Sequence, residues 1–228
     1  VIGYEDALRV SSNTFFYQVG YGVGVDKIHE VSKKLGFTSL SGIEISEQED
    51  LGFVASSQWA KEGRGWGEPG RTPWVPEDIA SMSIGQMVVQ VTPMQIARAY
   101  AAIANGGYLV TPHLTKQDGE FLSDKSRIKI DIDPQHIQII KNGLRKVVES
   151  GTGVAINTGV TNLPPVSGKT GTAEDWKTGL DHAWFVCFTP SENSELLVVA
   201  FAQNTPGGGS RHALPMAKQI LKAWNEAK

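Results

Sequence analysis

The 228-residue chain has a single cysteine, Cys187, so no disulfide can close within it. That thiol sits inside the apolar run Ala183 to Phe188, where a small buried hydrophobe is the usual occupant. No stretch approaches the roughly 18 apolar residues of a membrane span. The first residues, Val1 to Asp6, lack the basic and apolar regions of a signal peptide, so the chain as given is expected to be soluble. Charge of one sign is scarce too: 21 Lys and Arg face 24 Asp and Glu, and no basic run is longer than Lys33-Lys34. This balance gives no electrostatic case for binding nucleic acid. The 5 histidines, His29, His113, His136, His182 and His212, are scattered singly, so no metal and no other cofactor is implied.

What is present is an ordinary globular composition, 40% apolar and 20% charged, read as one domain over residues 1–228. Ser11-Ser12-Asn13 separates two helical segments, Tyr4 to Val10 and Thr14 to Val23, and supplies capping side chains. A third helix is expected from Asp26 as N-cap to Gly36. Residues Lys61 to Glu77 are rich in Gly and Pro and read as a long ordered loop. Thr92-Pro93-Met94-Gln95 is a capping box with proline at the first helical position. A further helix is expected from about Asp133 to Glu149, with Ile137, Ile140 and Leu144 on its apolar stripe.

The last third changes period. The runs His182 to Thr189 and Glu195 to Gln203, separated by Pro190 to Ser194, read as a β-hairpin. Val166 to Glu174 has the length of a third strand, and a terminal helix from about Leu214 is ready to cover the sheet. The predicted class is mixed α/β (α+β), an antiparallel sheet flanked by helices.

Lys-Thr-Gly occurs twice, at Lys169-Thr170-Gly171 and at Lys177-Thr178-Gly179. The first falls inside the predicted strand, where Thr170 and Thr172 share one face and Gly171 lets a ligand approach the backbone. The second falls in the loop after it, where glycine serves turn geometry and lysine is solvated. Ser-x-Asn also occurs twice. Ser11-Ser12-Asn13 lies at the start of an apolar helix, whereas Ser191-Glu192-Asn193 is turn chemistry in the hairpin.

Each triplet alone is a weak signal, but serine acyl-transfer enzymes of the penicillin-recognising class carry Ser-x-x-Lys, a Ser-x-Asn type triplet and Lys-Thr-Gly. The flanks SSNTFFYQVGYGVG, SMSIGQMVVQVTPMQIARAYAAIANGG, ESGTG, SGKTGTAE and HAWFVCFTP resemble the transpeptidase domain of class B penicillin-binding proteins, in particular their elongation-type members. The resemblance runs over essentially the whole chain. It implies a peptidoglycan D,D-transpeptidase on the extracytoplasmic face of the bacterial cytoplasmic membrane, working on peptidoglycan stem peptides, acylated by β-lactams and associated with the cell-elongation machinery. It further implies that Ser11 relays a proton, Asn13 binds a substrate amide and Lys169 supplies positive potential. Thr170 and Thr172 would hold a carboxylate, the Thr172 N–H would form half of an oxyanion hole, and Gly171 would keep the strand open. A serine β-lactamase-like hydrolase, a β-lactam sensor domain and a non-catalytic interaction module share parts of this signature.

The nucleophile is not found where the resemblance requires it. No serine or lysine precedes Ser11, and the one Ser-x-x-Lys, Ser126-Arg127-Ile128-Lys129, lies in an alternating strand pattern that would point Ser126 and Lys129 to opposite sides. The chain therefore reads as the C-terminal part of a transpeptidase domain, expected to be inactive alone. An N-terminal segment of the same protein is expected to complete the sheet edge and an apolar face.

Overall fold

A computed structural model describes residues 2–62, 74–116, 127–160, 162–175 and 177–228. Helices α1 (Tyr4–Val10) and α2 (Asn13–Val23) meet at Ser11-Ser12, and Ser12 caps α2 by accepting from the Phe15 N–H at 3.4 Å. Helix α3 (Val25–Lys34) starts two residues earlier than expected, with Gly24 rather than Asp26 as its N-cap. The Asp26 carboxylate is engaged elsewhere, accepting from the backbone N–H and hydroxyl of Ser57 at 2.8 and 2.6 Å. A long-range partner thus outcompetes the local cap, and these bonds hold the carboxyl below its ordinary range.

Strand β1 (Phe53–Val54) and helix α4 (Ser57–Lys61) come next, followed by α5 (Pro76–Ser83) and β2 (Val89–Gln90), which pairs antiparallel with β1. The expected loop from Lys61 to Glu77 is shorter at both ends. Lys61 closes α4, and Pro76 opens α5 with the Asp78 carboxylate accepting from the Val75 N–H at 3.2 Å. Residues 63–73 of that expected loop lie outside the described residues.

Helix α6 (Pro93–Ala104) carries the capping box in full: Thr92 Oγ1 accepts from the Gln95 N–H and Gln95 Oε1 from the Thr92 N–H. Gln95 is fully buried and its amide also donates to the carbonyls of Ser39 and Leu51, at 3.0 and 2.8 Å. Arg98, one turn on, donates to the carbonyls of Val110 and Leu40. Two side chains of one helix thereby pin the irregular segment 36–52 through its Ser39, Leu40 and Leu51 carbonyls.

Strands β3 (Tyr108–Leu109) and β4 (Ile128–Lys129) pair antiparallel, so the last two residues of the Ser-x-x-Lys stretch are in a strand, while Ser126 lies outside the described residues. Helix α7 (Pro134–Ser150) is capped by Asp133, which accepts from the Gln135 N–H, and it buries Ile137, Leu144, Val147 and Val148. The main sheet is the antiparallel β5 (Ser167–Asp175), β6 (Leu180–Thr189) and β7 (Leu196–Thr205), in that order, closed by α8 (Ala213–Glu226).

Alternation along this sheet sets the core. Ala183, Phe185 and Cys187 of β6 and Val198 and Ala200 of β7 face Leu214, Ala217 and Leu221 of α8 and Val148 of α7. Burying each of the larger side chains is worth about 1.5–3 kcal/mol. Cys187 belongs to this apolar cluster, and burial pushes its thiol up to about 12, which makes it inert. The intervening Val186 and Phe188 are buried as well, so both faces of β6 are covered. The architecture is the expected mixed α/β fold, with an antiparallel sheet between helices.

Candidate active site

Ser11 sits where one helix stops and another starts. Its N–H closes α1 on the Leu8 carbonyl, and the following Ser12 N–H bonds the Ala7 carbonyl. This forces Ser11 into the left-handed region, φ 53° and ψ 52°, which a residue other than glycine adopts at a cost of about 1 kcal/mol. Strained backbone of this kind persists where neighbouring structure fixes it, and it aims the Ser11 side chain outward. Asn13 opens α2 two residues later and is exposed.

The opposing wall is β5. The Lys169 ammonium donates to Ser11 Oγ at 2.7 Å and to the Thr170 carbonyl at 2.8 Å, joining residues 158 apart in sequence. Burial removes water from this ammonium and lowers its pKa to about 8, close enough to neutrality to gain or lose a proton readily. The Thr172 carbonyl accepts from the Gln86 side-chain amide at 3.1 Å. In an antiparallel ladder, residues alternate between bonding the partner strand and pointing away from it. Thr170 and Thr172, whose carbonyls are taken by side chains, therefore turn their N–H groups to the open edge of β5 as well.

The threonine hydroxyls are held from the other side. Thr170 Oγ1 lies 2.7 Å from Thr152 Oγ1, and Thr172 Oγ1 accepts from the Gly209 N–H at 3.4 Å. Gly208 and Gly209 pack so closely that a Cβ on Gly209 would meet the Trp184 carbonyl at 2.1 Å and the Gly171 carbonyl at 2.5 Å. Gly171 is also confined, because a Cβ there would lie 3.2 Å from Trp184 Cβ.

The sequence-predicted residues Ser11, Lys169, Thr170, Gly171 and Thr172 thus fall together, with Asn13 at the start of the adjoining helix. The second Lys-Thr-Gly stands apart as a turn: Asp175 accepts from the Lys177 N–H at 2.9 Å and from the Thr178 hydroxyl at 3.0 Å. Three participants went unassigned in the sequence, namely Gln86, Thr152 and the Gly208-Gly209 pair. Their signals were the IGQ and ESGTG segments and the run PGGGS, but nothing local says that these touch β5. Among the described residues no three His, Cys, Asp or Glu side chains converge as a metal site.

The site thus joins a strand edge whose Thr170 and Thr172 carbonyls are engaged by Lys169 and Gln86, a lysine of lowered pKa touching a serine, and two threonine hydroxyls with partners behind them. The sequence profile of the penicillin binding protein transpeptidase domain matches residues 1–222. The chain belongs to the penicillin-binding protein transpeptidase family. Within the family it is similar to the peptidoglycan D,D-transpeptidase MrdA of Haemophilus influenzae, 33% identical over 94% of this chain and 35% of that protein. It is also similar to the solved Pseudomonas aeruginosa PBP2 in complex with WCK 5153: TM-score 0.83 and 30% identity over 98% of this chain and 49% of that one. The Helicobacter pylori PBP2, solved in complex with MreC, shares the fold with a TM-score of 0.81 at 23% identity, over 98% of this chain and 40% of that chain. These likenesses place the penicillin-binding protein domain in the class B, PBP2-like group. The chain spans about a third of the length of the curated relatives it matches.

Proposed function

We propose that the protein of which this chain is part cross-links peptidoglycan as a D,D-transpeptidase. A serine outside residues 1–228 attacks the carbonyl carbon between the two terminal D-alanines of a stem peptide. The lysine of its Ser-x-x-Lys takes its proton, and Ser11, supported by the positive charge of Lys169, relays a proton to the departing D-alanine amine. An amine of a neighbouring strand then attacks the acyl-enzyme, forming the new amide and restoring the serine. In this reading Asn13 binds a substrate amide, Thr170 and Thr172 hold the terminal carboxylate, and Gly171 keeps the strand accessible. The Thr172 N–H stabilises the developing oxyanion together with the serine's own N–H. β-Lactams acylate the same serine.

The observation that carries this reading is the 2.7 Å contact of Lys169 with Ser11 beside the open edge of β5. The placement of the serine outside the chain rests on the absence of a Ser-x-x-Lys next to this pair among the described residues, and on relatives about three times longer. Residues 1–228 then form one part of a single domain, incomplete and inactive alone. Exposed Tyr4, Tyr21 and Val23 on α1 and α2, and the outer edges of β5 and β7, which no strand pairs among the described residues, give the remainder of that domain a surface to cover. By the same family reading the protein acts at the extracytoplasmic face of the membrane and joins the elongation machinery.

Labelling of the full-length protein with a fluorescent penicillin tests the proposal. Wild type should form a stable adduct, and Ser11→Ala and Lys169→Ala should slow its formation by about a hundredfold or more. Unchanged rates in both variants would remove these residues from the chemistry.

A further inference from the structure

Thr152 lies outside the Ser-x-Asn and Lys-Thr-Gly triplets and has no role in the proposed reaction, yet it is tied to both walls of the site. It lies in the ESGTG segment between α7 and the short 3-10 turn Val154–Asn157. Its N–H donates to the Arg9 carbonyl at 3.3 Å, two residues before Ser11, and its hydroxyl lies 2.7 Å from that of Thr170, the residue after Lys169. With Lys169 bonded to Ser11, these contacts close a ring: Ser11, Lys169, Thr170, Thr152, Arg9. The flanking glycines fix the loop in place. A Cβ on Gly151 would meet the Arg9 carbonyl at 2.3 Å, and the Gly153 N–H bonds the Val147 carbonyl at 3.0 Å.

Two hydroxyls at this distance share one proton between them, and which one donates decides what each presents outward. A hydroxyl has one proton and two acceptor lone pairs. If Thr152 donates to Thr170 Oγ1, the Thr170 proton is released towards the open edge, and a donor that is itself accepting a hydrogen bond is the stronger donor. Thr172 is treated in the same way, since the Gly209 N–H fills an acceptor site on its Oγ1. With Thr152 as the donor, each of the two threonines is supplied with a hydrogen bond from behind.

Building on the transpeptidase reading, we propose that Thr152 is a positioning residue for carboxylate recognition: its hydroxyl donates to Thr170 Oγ1 and turns the Thr170 proton towards the anionic end of the stem peptide or β-lactam. The deciding experiment compares acylation of the full-length protein by a penicillin bearing its free carboxylate and by the methyl ester of that penicillin, in wild type, Thr152→Val, Thr152→Ala and Thr152→Ser. Valine keeps the shape and removes the donor. Thr152→Val and Thr152→Ala should slow the carboxylate ligand about five- to tenfold while changing the ester by less than about twofold, because the bond to a charged acceptor is the stronger. Thr152→Ser should restore the wild-type ratio. Equal slowing of both ligands would show a merely structural threonine and overturn the inference, as would no slowing of either. A wild-type protein acylated by neither ligand would instead overturn the transpeptidase reading, and this inference with it.

Discussion

Taking the Lys169 ammonium out of water lowers its pKa from the ordinary 10.5 to about 8. In the unfolded chain the proton is held up to the higher value, so between the two the unfolded state binds more protons than the folded one. The penalty of burying this charge is therefore full below about pH 8 and is relieved as pH rises from there towards 10.5. The expected outcome is a wild-type denaturation midpoint that climbs, relative to that of Lys169→Met, between about pH 8 and about pH 10.5. A constant difference would mean that the ammonium is solvated. The same depressed value brings Lys169 closer to neutral pH than an ordinary surface lysine. Lys169 and Ser11 were legible as candidates because their triplets occur in the right order. Thr152 and Gln86 were not, since a lone hydroxyl or amide in a loop acquires its meaning only from the strand it touches.

At the scale of elements, helix ends and the hairpin followed from local chemistry. The Thr92–Gln95 capping box, the Asp133 cap and the turn between β6 and β7 each depend on residues within a few positions of one another, so a sequence carries them directly. The true start of α3 escaped for the opposite reason, because Asp26 bonds the distant Ser57 instead of capping its own helix. The short helices α4 and α5 do carry local caps, Ser56 on the Trp59 N–H and Asp78 on the Val75 N–H, but each is only a turn or two long. Gln95 works in both ways, capping α6 locally while its buried amide holds Ser39 and Leu51. Gln95→Ala would leave two carbonyls and one N–H without these partners and should lower stability by about 2–3 kcal/mol, read from urea denaturation. Gln138→Ala, which removes an exposed bond to Asn142, should change it by less than about 0.5 kcal/mol. Equal effects would show that the segment 36–52 does not depend on Gln95.

For the whole molecule, the sheet and the order of its motifs were readable because strand alternation and triplet order are linear properties. The closing of the site is not linear: Arg9 and Ser11, Gln86, Thr152, Lys169 and Gly209 come from five separate segments, and only the folded chain brings them to one strand edge. The resulting wall has a lysine–serine pair, oriented hydroxyls and an open backbone edge, but in this account it borrows its nucleophile. Peptide mapping of the full-length protein after reaction with penicillin tests that claim most directly. The account predicts a single acylated serine outside residues 1–228, formed slowly when Lys169 is replaced by alanine. An adduct on Ser11 or Ser126 would contradict it.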